Sequence, residues 1–331
     1  MMVLCTGLLV GCDKEEEYEP VMPPVEQPDE PNKPEEPEVP VKIPSTNDII
    51  KIKIGDINMI VGTQNWNGVA YGNGRYVAIG DVSSTPLNGY VTSSTDGVNW
   101  ATPQTLYMDF ATAVLYNNGK FIIAGFTNFQ TGTEGYIITS TDGMNWTYNK
   151  KVGTNKWNDI VYGNGKYVMV GNSYTVTSTD GMNWTAPQYV IPNSLNAVAY
   201  GNGKFVAVCN NSYIVTSADG ITWTKKQLNT YTWEDIAYVN GKFVAIGTKG
   251  YSIVVYIITS TDGVNWSTPQ KAERNWVVLT QSNDKFIACG NGHYSTSTDG
   301  LIWTTPIPLK DESGNEISLS IPFNDVICAM P

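Results

Sequence analysis

Arginine and histidine are nearly absent from this sequence, and their scarcity excludes several classes of function. The 331 residues include two arginines, Arg75 and Arg274, and one histidine, His293. Two arginines cannot form the cluster of guanidinium groups that recognises phosphates, so we expect no nucleic-acid partner. A lone histidine makes a poor metal site, and no glycine-rich phosphate loop precedes a helix. The sequence therefore predicts neither a metal site nor a cofactor.

Charged residues are also scarce, at 15% of the chain, and they are unevenly distributed. The formal net charge is -11, but residues 13–38 hold eleven acids against Lys14 and Lys33. The rest of the chain is therefore close to neutral. Because hydrophobic residues make up 41% of the sequence and aromatic residues 11%, this remaining part can bury a substantial core.

The N-terminal apolar stretch is too short to span a bilayer. It reads MMVLCTGLLVGC and ends at Cys12, well short of the roughly 20 residues that a spanning helix needs. It resembles a bacterial lipoprotein signal, which implies a lipid on Cys12 and a position in the cell envelope. The acidic run at 13–17 resembles the tag of lipoproteins displayed on the outer-membrane surface. An ordinary secretory peptide and a solvated charge run are the respective alternatives.

A proline-rich, acidic segment follows this stretch. Nine prolines fall between Pro20 and Pro44, interleaved with Glu and Asp. Such a composition cannot bury a core and stays extended. We therefore divide the chain into a signal peptide at 1–11, a lipidated cysteine with a disordered linker at 12–45, and a folded body at 46–331.

Three cysteines remain in the body, Cys209, Cys289 and Cys328. An odd number argues against a disulfide framework. Each one lies in an apolar strand pattern, so we predict small buried thiols.

Internal repetition is the dominant feature of the body. The pattern Ser/Thr-x-Asp-Gly-x-x-Trp recurs six times at spacings of 37 to 46 residues, which is the period of propeller blades. We call each copy a box. The box aspartates are Asp96, Asp142, Asp180, Asp219, Asp262 and Asp299.

Upstream of most boxes, two short apolar strands flank an Asn-Gly pair that favours a two-residue hairpin turn. The turn glycines are Gly74, Gly119, Gly165, Gly203 and Gly241. A third strand enters the box and a fourth leaves it. We therefore predict an all-β fold, a β-propeller of four-stranded antiparallel blades. Seven blades are expected, the last closed by residues 49–64 and 323–327 from the two ends of the body, with six as the alternative.

The box resembles the Asp-box of BNR-like repeats in sialidases and related propellers. That resemblance implies a structural turn in which the carboxylate accepts backbone N–H bonds, the glycine has a positive φ and the tryptophan packs between sheets. The six box aspartates are then not catalytic. Sialidases of this kind bind their substrate with three arginines, and this chain has only Arg75 and Arg274, so sialidase activity is not expected.

Three other acids are candidates for catalysis. Asp159, Asp235 and Asp325 occupy equivalent positions of the innermost strand in WND, WED and FND. Two such carboxylates could flank a glycosidic bond, as in glycoside hydrolases. The alternative is that they bond neighbouring backbone N–H groups.

The remaining hypothesis is a binding surface. The loops at 81–90, 126–136 and 248–256 are longer than their counterparts, and expanded loops of a repeat array often carry the binding face. The loops that lead into the first strands lie on the same face, and they bring aromatic residues that could stack on a ligand. These residues are Tyr107, Trp157, Tyr189, Tyr231, Trp233 and Trp276.

Inter-blade packing is the alternative for Trp157, Trp233 and Trp276, because with Trp66 they recur at one repeat position. We predict a non-catalytic surface protein that binds a carbohydrate, slightly ahead of a protein partner. A glycan-cleaving hydrolase and an envelope scaffold are the alternatives.

Overall fold

The computed structural model describes thirteen stretches of the chain, in some places by backbone alone. They are residues 45–46, 49–54, 57–63, 66–82, 87–129, 132–228, 230–250, 252, 254–282, 284–311, 313–314, 316 and 323–329. Cys12 and the linker at 12–44 lie outside these ranges, so their predicted roles are not addressed by the structure. Within the ranges, no helix has the length and apolar character needed to cross a membrane.

Alternating apolar residues and Asn-Gly turns produce 25 strands within the described ranges. They are β1 Ile49–Ile54, β2 Ile57–Thr63, β3 Trp66–Gly72, β4 Arg75–Val82, β5 Asn88–Ser94, β6 Gln104–Leu106, β7 Phe110–Asn117, β8 Lys120–Phe129, β9 Gly132–Ser140, β10 Thr147–Lys151, β11 Trp157–Gly163, β12 Lys166–Ser178, β13 Gln188–Gly201, β14 Lys204–Cys209, β15 Tyr213–Ser217, β16 Thr224–Gln227, β17 Tyr231–Val239, β18 Lys242–Lys249, β19 Val255–Ser260, β20 Gln270–Lys271, β21 Val278–Ser282, β22 Lys285–Gly290, β23 His293–Ser297, β24 Ile307–Pro308 and β25 Phe323–Ala329.

These strands form five antiparallel sheets of four to six strands, which we call blades I to V. Blade I contains β3–β6, blade II β7–β10, blade III β11–β16, blade IV β17–β20 and blade V β21–β24. A three-stranded terminal sheet has the order β1-β2-β25, so strands from both ends of the body pair in it. The inner strands contact one another in a closed ring, in the order β25, β3, β7, β11, β13, β17 and β21.

The prediction of seven four-stranded blades is wrong, and so is the alternative of six. The main reason lies in β12 and β13, which are 13 and 14 residues long. Asn172 pairs with Ser194, so hydrogen bonding continues where a loop was expected to separate the strands. β13 then pairs with β14 and carries the sheet into the next repeat. Blade III therefore holds two repeats in one six-stranded sheet, and the terminal sheet has three strands instead of four.

The predicted Asn-Gly hairpins are confirmed. In the turn between β3 and β4, Asn73 has a φ of 49° and Gly74 a φ of 71°. Two consecutive positive φ values are the signature of the hairpin turn that matches strand twist. The same values recur in the turns that contain Gly119, Gly165, Gly203 and Gly241.

The core consists of layers between neighbouring blades. Each layer combines inner-strand residues of one blade with apolar residues of the next; Val77 and Ile79 of blade I, for example, pack with Phe121 and Ile123 of blade II. Equivalent clusters lie at the II/III, III/IV and IV/V junctions. This arrangement leaves the outer strands and the connecting loops at the surface, where a ligand can reach them.

Candidate functional site

The six box aspartates have the same hydrogen-bond geometry. In the box of Asp180, Oδ1 accepts the backbone N–H groups of Met182 at 2.8 Å and Asn183 at 2.7 Å. The side-chain amide of Asn183 donates to Oδ2 at 2.8 Å. These bonds favour the charged carboxylate and hold the pKa of Asp180 well below its usual range. An oxygen held by two donors is poorly placed for proton transfer, so this geometry favours a structural role.

The other five boxes repeat these backbone bonds with little variation. Their aspartates are Asp96, Asp142, Asp219, Asp262 and Asp299.

Asp159 and Asp235, two of the candidate catalytic acids, form hydrogen bonds that join neighbouring inner strands. One carboxylate oxygen of each accepts the N–H of the next residue at 2.7 Å. The other oxygen accepts an N–H from the neighbouring inner strand, from Val198 at 2.8 Å for Asp159 and from Leu279 at 2.7 Å for Asp235. These bonds favour the alternative in which the acids bond backbone groups. The side chain of Asp325 lies outside the described residues.

Trp157, Trp233 and Trp276 cannot stack on a ligand, which corrects their place among the candidate binding residues. Trp157 and Trp233 are 0% exposed and Trp276 is 2% exposed. Each packs in a layer between two blades, and the indole N–H of Trp157 donates to the carbonyl of Val152 at 2.8 Å. Trp157 begins β11, Trp233 is the third residue of β17, and Trp276 lies two residues before β21. At this one repeat position the side chain packs against the neighbouring blade, so an aromatic ring there becomes core.

The candidate tyrosines are in different environments. Tyr231 is half-buried, with its ring stacked on Trp233 at 5.4 Å and in edge contact with Tyr256 at 4.8 Å. Tyr189 is 59% exposed and meets the ring of Tyr174 at 5.6 Å. Tyr231 has few open surfaces for a ligand, whereas Tyr189 remains accessible.

Tyr107 borders a cleft that the described residues form. Its side chain is 71% exposed, and it lies directly after the outer strand β6. A cavity of about 350 Å³ lies beside it, walled by Asn88 of β5 and Thr127 of β8. Asn88 and Thr127 belong to the segments at 81–90 and 126–136 that were predicted as expanded loops, and the structure places both residues in strands. The volume lies at the lower end of the range of roughly 300–1,000 Å³ typical of ligand sites.

A second cavity, of about 250 Å³, also borders Tyr107. It is lined by Gln104 of β6 and by the box of blade II, including Met144, Asn145 and Trp146. We call the two cavities together the Tyr107 cleft, at the I/II junction. Its walls combine aromatic rings and a thioether with amide and hydroxyl groups, which suits a ligand with both apolar and polar parts.

Each cavity of the cleft has a carboxylate beside it. Asp109 lines the first cavity, and its carboxylate accepts the backbone N–H of Asn128 at 2.8 Å. Beside the second cavity, backbone and amide donors hold the pKa of Asp142 far below its usual range. Near Tyr107, a hydrogen bond to Glu134 raises the pKa of Tyr136 to about 12. The donors that bind Asp142 therefore keep the box carboxylate ionised at neutral pH.

β6 also offers backbone groups to a ligand. It is the last strand of blade I and pairs on one side with β5. Exposed edge strands are normally protected by lysine or proline. The outer strands β10, β16 and β20 contain lysine, and β24 contains Pro308. β6 reads QTL and has neither, so among the outer strands that the structure describes it has the least protected edge.

Sequence reasoning found Tyr107 but missed Gln104, Met144 and Asn145. Met144 and Asn145 were set aside with the box as structural, although Met144 is 44% exposed. A signal for Gln104 existed in the repeat alignment, because the next outer strand has lysine at the position of equal register. Sequence reasoning could not place Gln104 beside Met144 and Asn145, because their proximity depends on how blades I and II pack together.

The prediction of buried thiols is confirmed for Cys209 and Cys289, both of which are fully buried. Burial raises the pKa of Cys209 to about 12, so it is unreactive at neutral pH. The side chain of Cys328 is outside the described residues. Within the described ranges, no group of three or more His, Cys, Asp or Glu side chains is placed to hold a metal ion.

Comparison with known proteins relates the chain to solved structures alone. No protein-family model and no curated protein matches it. A structure of YCF48 bound to D1 peptide matches with 18% identity and a TM-score of 0.53, over 80% of this chain and 87% of that one. The chain has the β-propeller fold.

Two further structures agree on this fold. YCF48 from Cyanidioschyzon merolae matches with 13% identity and a TM-score of 0.52, over 79% of this chain and 88% of that chain. Virginiamycin B lyase from Staphylococcus aureus matches with 12% identity and a TM-score of 0.55, over 75% and 86%. At such identities the likeness extends to the fold and no further.

Proposed function

We propose that this protein is a non-catalytic binding protein that holds an extended segment of a partner polypeptide along β6 and in the Tyr107 cleft. The observation that carries the proposal is the edge of β6. It presents backbone donors and acceptors without lysine or proline, next to a cleft of mixed polarity. An added strand gains affinity from main-chain bonds and specificity from side-chain pockets, and β6 with its cleft offers both.

Two further observations support a polypeptide over a carbohydrate. The carbohydrate hypothesis relied on six aromatic residues, and the rings of Trp157, Trp233 and Trp276 are buried. One structure of similar fold, YCF48, has a bound peptide. The likeness is distant, so it supports the proposal through the fold's capacity to bind peptides.

Carbohydrate binding is the second candidate, because the ring of Tyr107 is 71% exposed beside hydroxyl and amide groups. An exposed aromatic ring flanked by such groups is suited to stack on a sugar. This candidate differs from the first in using the ring face of Tyr107 without the backbone of β6.

A peptide-display screen of the chain with Cys12→Ala, followed by calorimetry, tests the proposal. Thr105 is the register equivalent of Lys271 in β20, so Thr105→Lys introduces the protection that blade IV has. We expect selected peptides to lose at least about tenfold in affinity to this variant, while Thr105→Ser binds normally. N-methylation of alternate peptide residues should also abolish binding, because it removes main-chain donors.

Equal binding to Thr105→Lys and wild type would overturn the proposal. A glycan array provides the other arm. If no peptide is selected and a glycan binds in a way that Tyr107→Ala abolishes, the carbohydrate function replaces the polypeptide function.

We also propose that the protein is anchored to the bacterial cell envelope, at the outer-membrane surface, by a lipid on Cys12. The support is the sequence LVGC followed by an acidic run. Incorporation of an alkyne-labelled fatty acid should be seen in the wild type and lost in Cys12→Ala. Digestion of the body by protease added to intact cells would support surface display, whereas full protection would contradict it.

A further inference from the structure

One outer-strand position distinguishes the blade junctions. It pairs with the residue five places before the box aspartate, and it is Gln104 in β6, Lys150 in β10, Lys226 in β16 and Gln270 in β20. Each of these side chains lies beside the box of the following blade. The residue type at this position therefore decides what faces that box.

Lysine at this position bridges the junction. At the II/III junction, Nζ of Lys150 donates to Oδ1 of Asn183 at 2.8 Å. At III/IV, Nζ of Lys226 donates to Oδ1 of Asn265 at 3.3 Å. Both asparagines are the third residue after the box aspartate. In two junctions, the asparagine at this box position thus accepts a hydrogen bond from a lysine ammonium group.

The I/II junction has the same asparagine without the lysine. Asn145 donates its side-chain amide to Oδ2 of Asp142 at 2.7 Å, so its Oδ1 points away from that carboxylate. The outer-strand residue here is Gln104, and the described residues include no lysine bonded to Asn145. Both Gln104 and Asn145 line the Tyr107 cleft. The acceptor that is occupied by lysine elsewhere therefore faces the cleft.

A second lysine contact is also missing from this box. In the five other boxes, a lysine that lies upstream, before the preceding box or in β1, donates to the backbone carbonyl of the aspartate, as Lys120 does to Asp180 at 3.1 Å. The residue at that place beside the box of Asp142 is Arg75, which donates to Oγ of Ser93 at 3.3 Å. Among the described boxes, that of Asp142 is the one with neither lysine contact.

We propose that a lysine side chain of the partner polypeptide enters the Tyr107 cleft and donates its ammonium group to Oδ1 of Asn145, as Lys150 does to Asn183. This inference rests on the proposed function and adds the side chain that gives it specificity. The alkyl part packs on Met144 and the ring of Trp146, and the aromatic faces attract the cation.

Nuclear magnetic resonance titration with N-acetyl-lysine methylamide tests the site without a known partner. The probe should shift the side-chain signals of Asn145 and Trp146 in the full chain with Cys12→Ala. The ε-acetylated form of the probe lacks the ammonium group, and we expect it to bind about tenfold more weakly.

Two substitutions give matched controls. Gln104→Lys should bridge to Asn145 as Lys150 bridges to Asn183, and the probe response should disappear. Gln270→Lys places the same residue at the IV/V junction, where Ile302 occupies the asparagine position and offers no acceptor. It should leave the response at Asn145 unchanged. Both positions are exposed, so neither variant should unfold.

A gain of binding is the sharpest expectation. Lys150→Gln removes the internal lysine, so the signals of Asn183 should begin to respond to the probe. A silent Asn183 in this variant, or equal shifts from the acetylated probe, would overturn the inference. If selected peptides bind β6 without needing lysine, this inference fails and the proposed function stands. If the probe binds at Asn145 but no peptide binds β6, the proposed function fails instead.

Discussion

Trp157 and Tyr107 are aromatic residues of equivalent connections, between an outer strand and the next inner strand, yet one is fully buried and the other is 71% exposed. Trp157 is the first residue of an inner strand, and Tyr107 directly follows an outer strand. The inner-strand position faces a neighbouring blade, whereas the side chain of Tyr107 reaches solvent between the buried Leu106 and Met108. The difference teaches that position within the repeat, more than residue type, separates packing from binding.

The largest effect is expected from Trp157→Ala. Removal of a fully buried indole leaves a cavity between blades II and III and should lower the free energy of unfolding by about 3–5 kcal/mol. Urea denaturation measures the change. Exposed Tyr189→Ala is the matched control, since its loss should cost little. Similar costs for the two variants would contradict the division into buried and exposed aromatics.

An intermediate effect is expected from the box carboxylates. Asp180→Asn keeps the shape but removes the charge that accepts three N–H donors, so we expect a loss of about 1 kcal/mol at this exposed turn. The control is Asp284→Asn, because Asp284 is exposed and asparagine accepts its positive φ of 60° equally well. If thermal melting shows equal losses for both variants, the box bonds contribute no specific stability.

Opposite pH responses should separate Asp219 from Asp81. The pKa of Asp219 is lowered to about 2 by backbone N–H donors, against about 3.9 when unfolded. Its stabilisation is therefore present above about pH 4 and lost as pH falls toward 2. Burial raises the pKa of Asp81, and the hydrogen bond from Asn67 only partly offsets this rise. The ionised form of Asp81 therefore destabilises the fold at neutral pH.

Two variants measure these contributions. Asp219→Asn should flatten the loss of stability between pH 4 and 2. Asp81→Asn should stabilise the fold slightly at pH 7, with the gain vanishing as pH falls and Asp81 protonates. Urea midpoints at pH 3, 5 and 7 record both trends. A gain from Asp81→Asn that persists at pH 3 would show that its ionisation is not the cause.

The smallest effect on stability is expected from Tyr107→Ala. An exposed side chain buries little area on folding, so the change should stay within about 0.5 kcal/mol. If the Tyr107 cleft is the ligand site, affinity for selected peptides should nevertheless fall. Thermal melting and calorimetry on one preparation test both points, and a large drop in melting temperature would assign Tyr107 to the core.

Local structure was predictable from local patterns. Asn73 and Gly74 form the predicted hairpin turn because only a few residue types accept two positive φ values. The apolar patterns around Cys209 and Cys289 correctly indicated buried thiols. In both cases the decisive interactions lie within a few residues of the motif.

Strand connectivity and the cleft were not predictable in this way. Whether the chain leaves a sheet after β12 depends on the pairing of Asn172 with Ser194, which are separated by a whole box. The sequence predicted Tyr107 as a binding residue but could not show that Gln104 and Asn145 lie beside it in one cavity.

The sequence by itself determined the repeat, its turns, the all-β fold and the candidate aromatic residues, because each follows from short-range backbone preference and strand alternation. Tertiary structure alone decided the grouping into five blades, the burial of Trp157, Trp233 and Trp276, and the I/II cleft. The physical reason is that hydrogen bonding between strands and packing between blades join residues far apart in the chain, and a periodic sequence leaves several such pairings equally compatible with its local pattern.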